Sequence, residues 1–177
     1  LLLRAAEAAR PVLDGGLPLP ADKASPVKDA PGVYRLDAAL FRNEAQRRAG
    51  RMPAMWDQAA RTRYELAAGL LTVKALPGSY TIEGGALYVH TAGGRALAEC
   101  RVEIGSLDAA NGLVIRRPNV TVRGLWARGY TTSMFAAGFV AGTDASNAVF
   151  EDCHASSCSR GFLLRADNAR LLRCQAG

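Results

Sequence analysis

Apolar and polar residues alternate in three stretches near the end of the chain, and the three can be written under one another. They begin Gly112-Leu113-Val114-Ile115, Gly138-Phe139-Val140-Ala141 and Gly161-Phe162-Leu163-Leu164. Each leads into an asparagine and a second run: Asn119-Val120-Thr121-Val122, Asn147-Ala148-Val149-Phe150 and Asn168-Ala169-Arg170-Leu171. The opening glycines are 26 and 23 residues apart and the asparagines 28 and 21. A drifting period of this kind predicts strands of fixed length joined by turns of variable length and repeated as a stack.

Counted from each asparagine, four columns are apolar or small: Val120/Ala148/Ala169, Val122/Phe150/Leu171, Leu125/Cys153/Cys174 and Ala127/Ala155/Ala176. Between them lie Thr121/Val149/Arg170, Arg123/Glu151/Leu172, Gly124/Asp152/Arg173 and Trp126/His154/Gln175, which are mixed and mostly polar. Period two with one apolar side predicts strands facing a core on one side and solvent on the other. The slip from odd to even positions predicts a bend around Gly124 and Asp152. The opening glycines suit a tight corner through backbone angles forbidden to other residues, and asparagine at the next corner does the same or bonds its own backbone. If Leu113/Phe139/Phe162 face inward, Val114, Val140 and Leu163 form an outward apolar ladder that needs cover from the Pro11 to Pro31 stretch or from a partner.

Upstream, Leu2 to Ala9 reads as a short helix and Pro11 to Pro31 as an irregular connector. Pro31-Gly32-Val33-Tyr34 recurs in form as Pro77-Gly78-Ser79-Tyr80, each copy placing a turn before a strand-like run. Asp57 to Leu71 is the best helix candidate, with Asp57 as its cap and alanines and leucines inside. Such a helix is expected to cover the exposed end of the stack. Strands are expected at Leu71 to Leu76, Tyr80 to Ile82, Ala86 to His90 and Ala98 to Ile104, with the Gly84-Gly85 and Gly93-Gly94 pairs as turns. The pieces around Gly78 and Gly84 read as entry coils.

The G-[LF]-[VL]-[IAL] and N-x-x-[VFL]-x-x-[LC] coils, preceded by Pro77-Gly78-Ser79-Tyr80 and Leu87-Tyr88-Val89, resemble the right-handed parallel β-helix repeat proteins of the pectate-lyase-like superfamily. The resemblance spans roughly Leu71 to Gly177. It implies an all-β fold, a right-handed parallel β-helix (solenoid) with an N-terminal capping helix and an irregular leader. The expected divisions are a leader over 1–56, the helix over 57–71 and coils over 72–177. It also implies a polysaccharide partner and a secreted or cell-surface location. No catalytic motif of a particular lyase or hydrolase family is visible, so no functional residue is carried over.

Composition changes the picture little: 49% apolar residues support a folded chain. No apolar run approaches the roughly 20 residues of a membrane span, so none is expected. A chain that starts Leu1-Leu2-Leu3-Arg4 and stops at Gly177 partway through a coil is expected to be a piece of a longer protein. Net charge is +6, from 22 basic and 16 acidic residues, and the segment from Gly112 holds eight arginines against four acids. That excess suits an acidic polysaccharide; without an aromatic-basic motif, nucleic acid is not an expected partner. Cys100, Cys153, Cys158 and Cys174 lack zinc-ligand spacing. Inward small residues and a disulfide both remain open for them, and no metal or cofactor is assigned.

Candidate chemistry concentrates in the outward columns. Arg123, Trp126, Asp152, His154 and Arg173 occupy neighbouring positions of three stacked coils and are expected to form one patch. In it Trp126 stacks a sugar and Asp152 joins in substrate binding, while Arg123 or Arg173 neutralises a uronate carboxylate and His154 moves a proton. Elimination from a uronate also needs a group that protonates the departing oxygen, and Tyr130 is nearby in sequence. Glu151 and Asp152 are adjacent along a strand, a poor arrangement for a hydrolase pair. Two functions follow: a lyase or epimerase acting on a uronate-containing polysaccharide, or a non-catalytic carbohydrate-binding or adhesive scaffold.

Overall fold

A computed structural model describes residues 1–6, 9–41, 54–105, 111–131 and 136–177. The chain is mostly β-structure and divides into two compact units, Leu1–Gly16 with Asp108–Gly177, and Leu17–Leu107. It opens with β1 (Leu2–Arg4) and β2 (Val12–Asp14), both in the first unit. β1 stands where a helix was expected from Leu2 to Ala9, and β2 falls in the expected connector; residues 7–8 of that helix lie outside the described residues. Three-residue segments are too short to show a period, so their extended form was not legible.

The second unit follows with β3 (Gly16–Pro18), β4 (Ser25–Pro26), β5 (Val33–Asp37), β6 (Met55–Asp57), β7 (Thr62–Leu66), helix α1 (Leu70–Ala75), β8 (Ser79–Glu83), β9 (Ala86–His90) and β10 (Val102–Gly105). Its sheet runs β3-β10-β6-β7-β8-β9-β5-β4. β7 and β8 pair in parallel, whereas β10–β6, β6–β7, β8–β9, β9–β5 and β5–β4 are antiparallel. The expected entry coils over Gly78 to Val89 are therefore a hairpin. Gly84 and Gly85 take φ of 56° and 79°, the two-residue turn whose twist joins antiparallel neighbours. The Pro-Gly recurrence has a structural meaning: Val33 and Ser79 both register with His90, so the two copies start the strands on either side of β9.

The helix expected over Asp57 to Leu71 is also corrected. Asp57 ends β6, and its Oδ1 accepts from the backbone N–H groups of Ala59 and Ala60 at 2.9 and 3.2 Å. The carboxylate that reads as a helix cap instead closes a hairpin turn, with Arg61 at φ 52°. β7 then returns with Tyr64 buried. The helix that does form begins after Gly69, where a strand was expected; the Glu83 carboxylate accepts from the Leu70 N–H at 2.8 Å and Val73 is buried. Leu36, Met55, Tyr64, Tyr80, Leu87, Val89, Val102 and Ile104 make the core of this unit. Residues 42–53 of the expected leader lie outside the described residues.

The first unit resumes with β11 (Asn111–Ile115), β12 (Thr121–Arg123), β13 (Trp126–Arg128), β14 (Ala137–Ala141), β15 (Val149–Glu151), β16 (His154–Ser156), β17 (Arg160–Leu164), β18 (Arg170–Leu172) and β19 (Gln175–Ala176). Every third strand returns to the same sheet, giving β11-β14-β17, β1-β12-β15-β18 and β2-β13-β16-β19, all paired in parallel. The expected columns are the observed registers. Leu113, Phe139 and Phe162 align, as do Val122, Phe150 and Leu171, and Ala127, Ala155 and Ala176. Inside, Phe139 and Phe162 stack with centroids 5.1 Å apart and Phe150 packs against both. The two fully buried rings, Phe139 and Phe150, are each worth roughly 2–3 kcal/mol of burial, and the half-buried Phe162 less.

Within the first sixteen residues, β1 and β2 are not an irregular leader but part of this stack. Leu3 registers with Val122 and Leu13 with Ala127, so β1 and β2 extend the inward columns by one tier. The repeated segment accordingly starts at β11 rather than near residue 72, and it draws in residues more than a hundred positions away. The outward apolar column is uneven, with Val140 buried and Val114 exposed.

The corners sharpen the sequence reading. Asn119, Asn147 and Asn168 take φ of 58°, 59° and 56°, and Asn147 Nδ2 donates to Asn119 Oδ1 at 3.1 Å. The expected bend is real: Gly124, Asp152 and Arg173 take φ of 71°, 52° and 51°. Gly112, Gly138 and Gly161, however, are not among the positive-φ residues. They are glycine because the space for a side chain is occupied: a Cβ on Gly161 would lie 2.5 Å from Ala176 Cβ, one on Gly138 3.0 Å from Ala127 Cβ, and one on Gly112 2.5 Å from Gly138 O and 2.8 Å from the Tyr130 ring. All four cysteines are free thiols. Cys153 is buried, and its Sγ donates to Glu151 O at 3.4 Å while Cys174 Sγ donates to Phe150 O at 3.3 Å.

Candidate functional site

The five residues singled out in the outward columns fall into two groups. Arg123, Asp152 and Arg173 belong to the corner that ends β12, β15 and β18, whereas Trp126 and His154 open β13 and β16 on the next sheet.

At the corner, a carboxylate meets each arginine. Arg123 Nε donates to Glu151 Oε2 at 2.7 Å, and Arg173 Nε and Nη2 donate to the two oxygens of Asp152 at 2.7 and 2.9 Å. Arg173 Nη2 also reaches Glu151 Oε1, so Glu151 bridges both guanidinium groups. Hydrogen bonds from Arg173 and then Arg123 hold the Glu151 carboxyl below the usual carboxylate range, and those from Arg173 do the same for Asp152. The two carboxylates in turn push the Arg173 guanidinium up. The network forms because successive strands bring Arg123 and Glu151 into register and the left-handed corner turns Asp152 and Arg173 outward together. Glu151 was the member that sequence reasoning had set aside as half of a poor hydrolase pair; register with Arg123 was the signal that it had another task.

On the next sheet the Trp126 and His154 rings lie with centroids 4.6 Å apart, tilted by 32°. His154 Nδ1 is 3.3 Å from Gln175 Oε1, continuing the column to a third tier. Trp126, His154 and Gln175 are in register across β13, β16 and β19, and Trp126 and His154 are half-buried at the surface. Arg10, just before β2, places its guanidinium carbon 5.6 Å from the Trp126 ring centroid. No sequence signal pointed to Arg10, because nothing in a linear reading pairs residue 12 with residue 126. One position along, Arg128 Nε donates to Asp14 Oδ2 at 2.9 Å and ties β2 to β13.

Tyr130, the nearest group for protonating a leaving oxygen, is buried and packs against Gly15 and Gly112; burial first, and the charge of Asp14 next, push its hydroxyl pKa up. His90, in the other unit, is buried with Nδ1 donating to Val73 O at 2.7 Å, a structural role. The geometry thus assembles an outward aromatic-amide column and, separately, a self-neutralised charge corner. The two candidate arginines, Arg123 and Arg173, are paired with carboxylates rather than free beside His154. No protein family, curated protein or solved structure matches this chain.

Proposed function

We propose that the first unit is part of a right-handed parallel β-helix of the pectate-lyase-like kind, in a secreted or cell-surface protein, and that it binds polysaccharide without carrying out a reaction at this face. The observation that carries the reading is the in-register column Trp126, His154 and Gln175 on the outer face of one parallel sheet. Strands from successive tiers are about 4.8 Å apart, close to the rise of one sugar in an extended glycan, so a linear chain meets an aromatic ring, an imidazole and an amide in turn. Indole and imidazole combine apolar carbon with N–H donors, the combination that sugars, with apolar C–H faces and peripheral hydroxyls, match best.

The lyase or epimerase reading drew its carboxylate-neutralising role from Arg123 and Arg173. Both are engaged by Glu151 and Asp152, and a substrate carboxylate would have to displace an existing one. Binding without chemistry needs no such displacement. The test is affinity electrophoresis of the chain in gels containing pectate, alginate or a glycosaminoglycan, with unsaturated-uronate absorbance followed in parallel. Retardation in at least one gel without new absorbance, lost on Trp126→Ala, is the expected result. New absorbance that His154→Ala abolishes would restore the enzyme reading, and unretarded migration in every gel would remove both.

A further inference from the structure

Trp126 is approached from both neighbours in its sheet. His154 comes from the β16 side, and Arg10 comes from the β2 side with its guanidinium over the ring. The approach of Arg10 is fixed by its surroundings. The Trp126 backbone N–H donates to Pro11 O at 3.0 Å, Val12 registers with Trp126, and the Asp14–Arg128 pair anchors the far end of β2. A guanidinium within about 6 Å of an indole centroid is attracted by the electron-rich ring face. It also covers that face, the one on which a sugar ring would stack.

Among the described residues, Arg123, Arg128 and Arg173 each contact a carboxylate, whereas exposed Arg10 meets only the Trp126 ring. Arg10 can therefore exchange a π-face for a carboxylate at little cost. Resting on the polysaccharide reading above, we propose that Arg10 makes the Trp126 face selective for anionic over neutral sugars by acting as a displaceable cover. A sugar bearing a carboxylate draws the guanidinium off the ring into a charge-assisted hydrogen bond and stacks on the face so exposed. A neutral sugar must remove the same cover and gains no ion pair in return. The selecting group is supplied by a segment more than a hundred residues from the ring it guards.

The test compares two probes that differ only in charge, an oligogalacturonate and its fully methyl-esterified form, titrated into the full chain by calorimetry at low salt. For an exposed ion pair plus the displaced cover, the wild type is expected to bind the anionic probe roughly tenfold more tightly than the ester. Arg10→Gln is expected to bind the anion more weakly and the ester more tightly, bringing the two within about twofold. Arg10→Lys keeps the charge and should keep most of the discrimination. The gain for the ester is the signature of a cover; a merely structural Arg10 would weaken both probes together, and an unchanged ratio in Arg10→Gln would likewise overturn the proposal. If Arg10→Gln melts early, Arg10→Met, which keeps the aliphatic length without the charge, carries the same comparison through the ratio of the two probes. A wild type that binds neither probe, or a Trp126→Ala variant that binds both as before, would instead remove the polysaccharide reading, and the role of Arg10 with it.

Discussion

Two sets of glycines, one from each unit, are required for opposite reasons. In the parallel unit, Gly112, Gly138 and Gly161 have ordinary φ and are glycine because something occupies the space a side chain would take; a Cβ on Gly112 would lie 2.5 Å from Gly138 O. In the antiparallel unit, Gly84 and Gly85 have open space around them but left-handed φ of 56° and 79°. One set is demanded by packing between tiers, the other by the backbone of a single turn. The contrast extends to the cores. Two columns of the parallel unit stack like on like, Phe139 on Phe162 and Ala155 on Ala176, whereas the antiparallel unit buries a carboxylate, Asp57, as well as its apolar core.

The largest effect that can break this contrast is expected in the stacked core. Phe150→Ala removes a fully buried ring from the cluster with Phe139 and Phe162 and should cost about 3–5 kcal/mol in denaturant unfolding. A loss near 1 kcal/mol would mean that the stack collapses around the hole and is not a rigid column. In the other unit, Asp57 is fully buried and its Oδ2 takes the guanidinium of Arg95 at 2.5 Å. Arg95→Ala leaves that carboxylate without its cation and should cost about 3 kcal/mol by the same measurement.

The glycines give a smaller and more selective readout. Gly112→Ala is expected to destabilise by about 1–3 kcal/mol through overpacking. Gly84→Ala is expected to lose about 1 kcal/mol through its backbone angle. Asparagine separates the two causes, because it tolerates the left-handed region and still carries a Cβ. Gly84→Asn should recover most of the loss and Gly112→Asn none; rescue at both positions would erase the distinction drawn here.

The smallest effect belongs to the charge corner. Glu151 and Asp152 titrate below their ordinary range because of Arg173, so their contribution is fully present above the unfolded carboxylate range and is lost as pH falls through their lowered folded values. The wild type should therefore exceed Arg173→Ala in melting temperature at neutral pH, with the gap closing in acid and shrinking with added salt. A gap that widens on acidification contradicts the assignment.

Much of the parallel unit was legible because period two survives across three tiers, so Val122 over Phe150 over Leu171 could be aligned without coordinates. The reason for the opening glycines was not, since a close approach to Ala127 and Ala155 depends on folding the chain around its corners. The antiparallel unit was misread where one residue serves two grammars: Asp57 captures backbone N–H groups in a turn as readily as at a helix start. At the candidate site, the Trp126 and His154 column followed from the repeat, while the neutralising role of Glu151 and the presence of Arg10 required knowing which strands are neighbours.

The corner after β12, β15 and β18 always spends two residues, Gly124-Leu125, Asp152-Cys153 and Arg173-Cys174, the first left-handed and the second apolar. The other two corners vary: five and then seven residues precede β12 and β15, and eight and then three precede β14 and β17. That difference accounts for the glycine spacing of 26 falling to 23. Added residues at the two elastic corners leave the strands in register, whereas an added residue at the fixed corner would turn the side chains of the strand that follows it inside out. Length in this stack varies at two of its three edges, and the third keeps the frame.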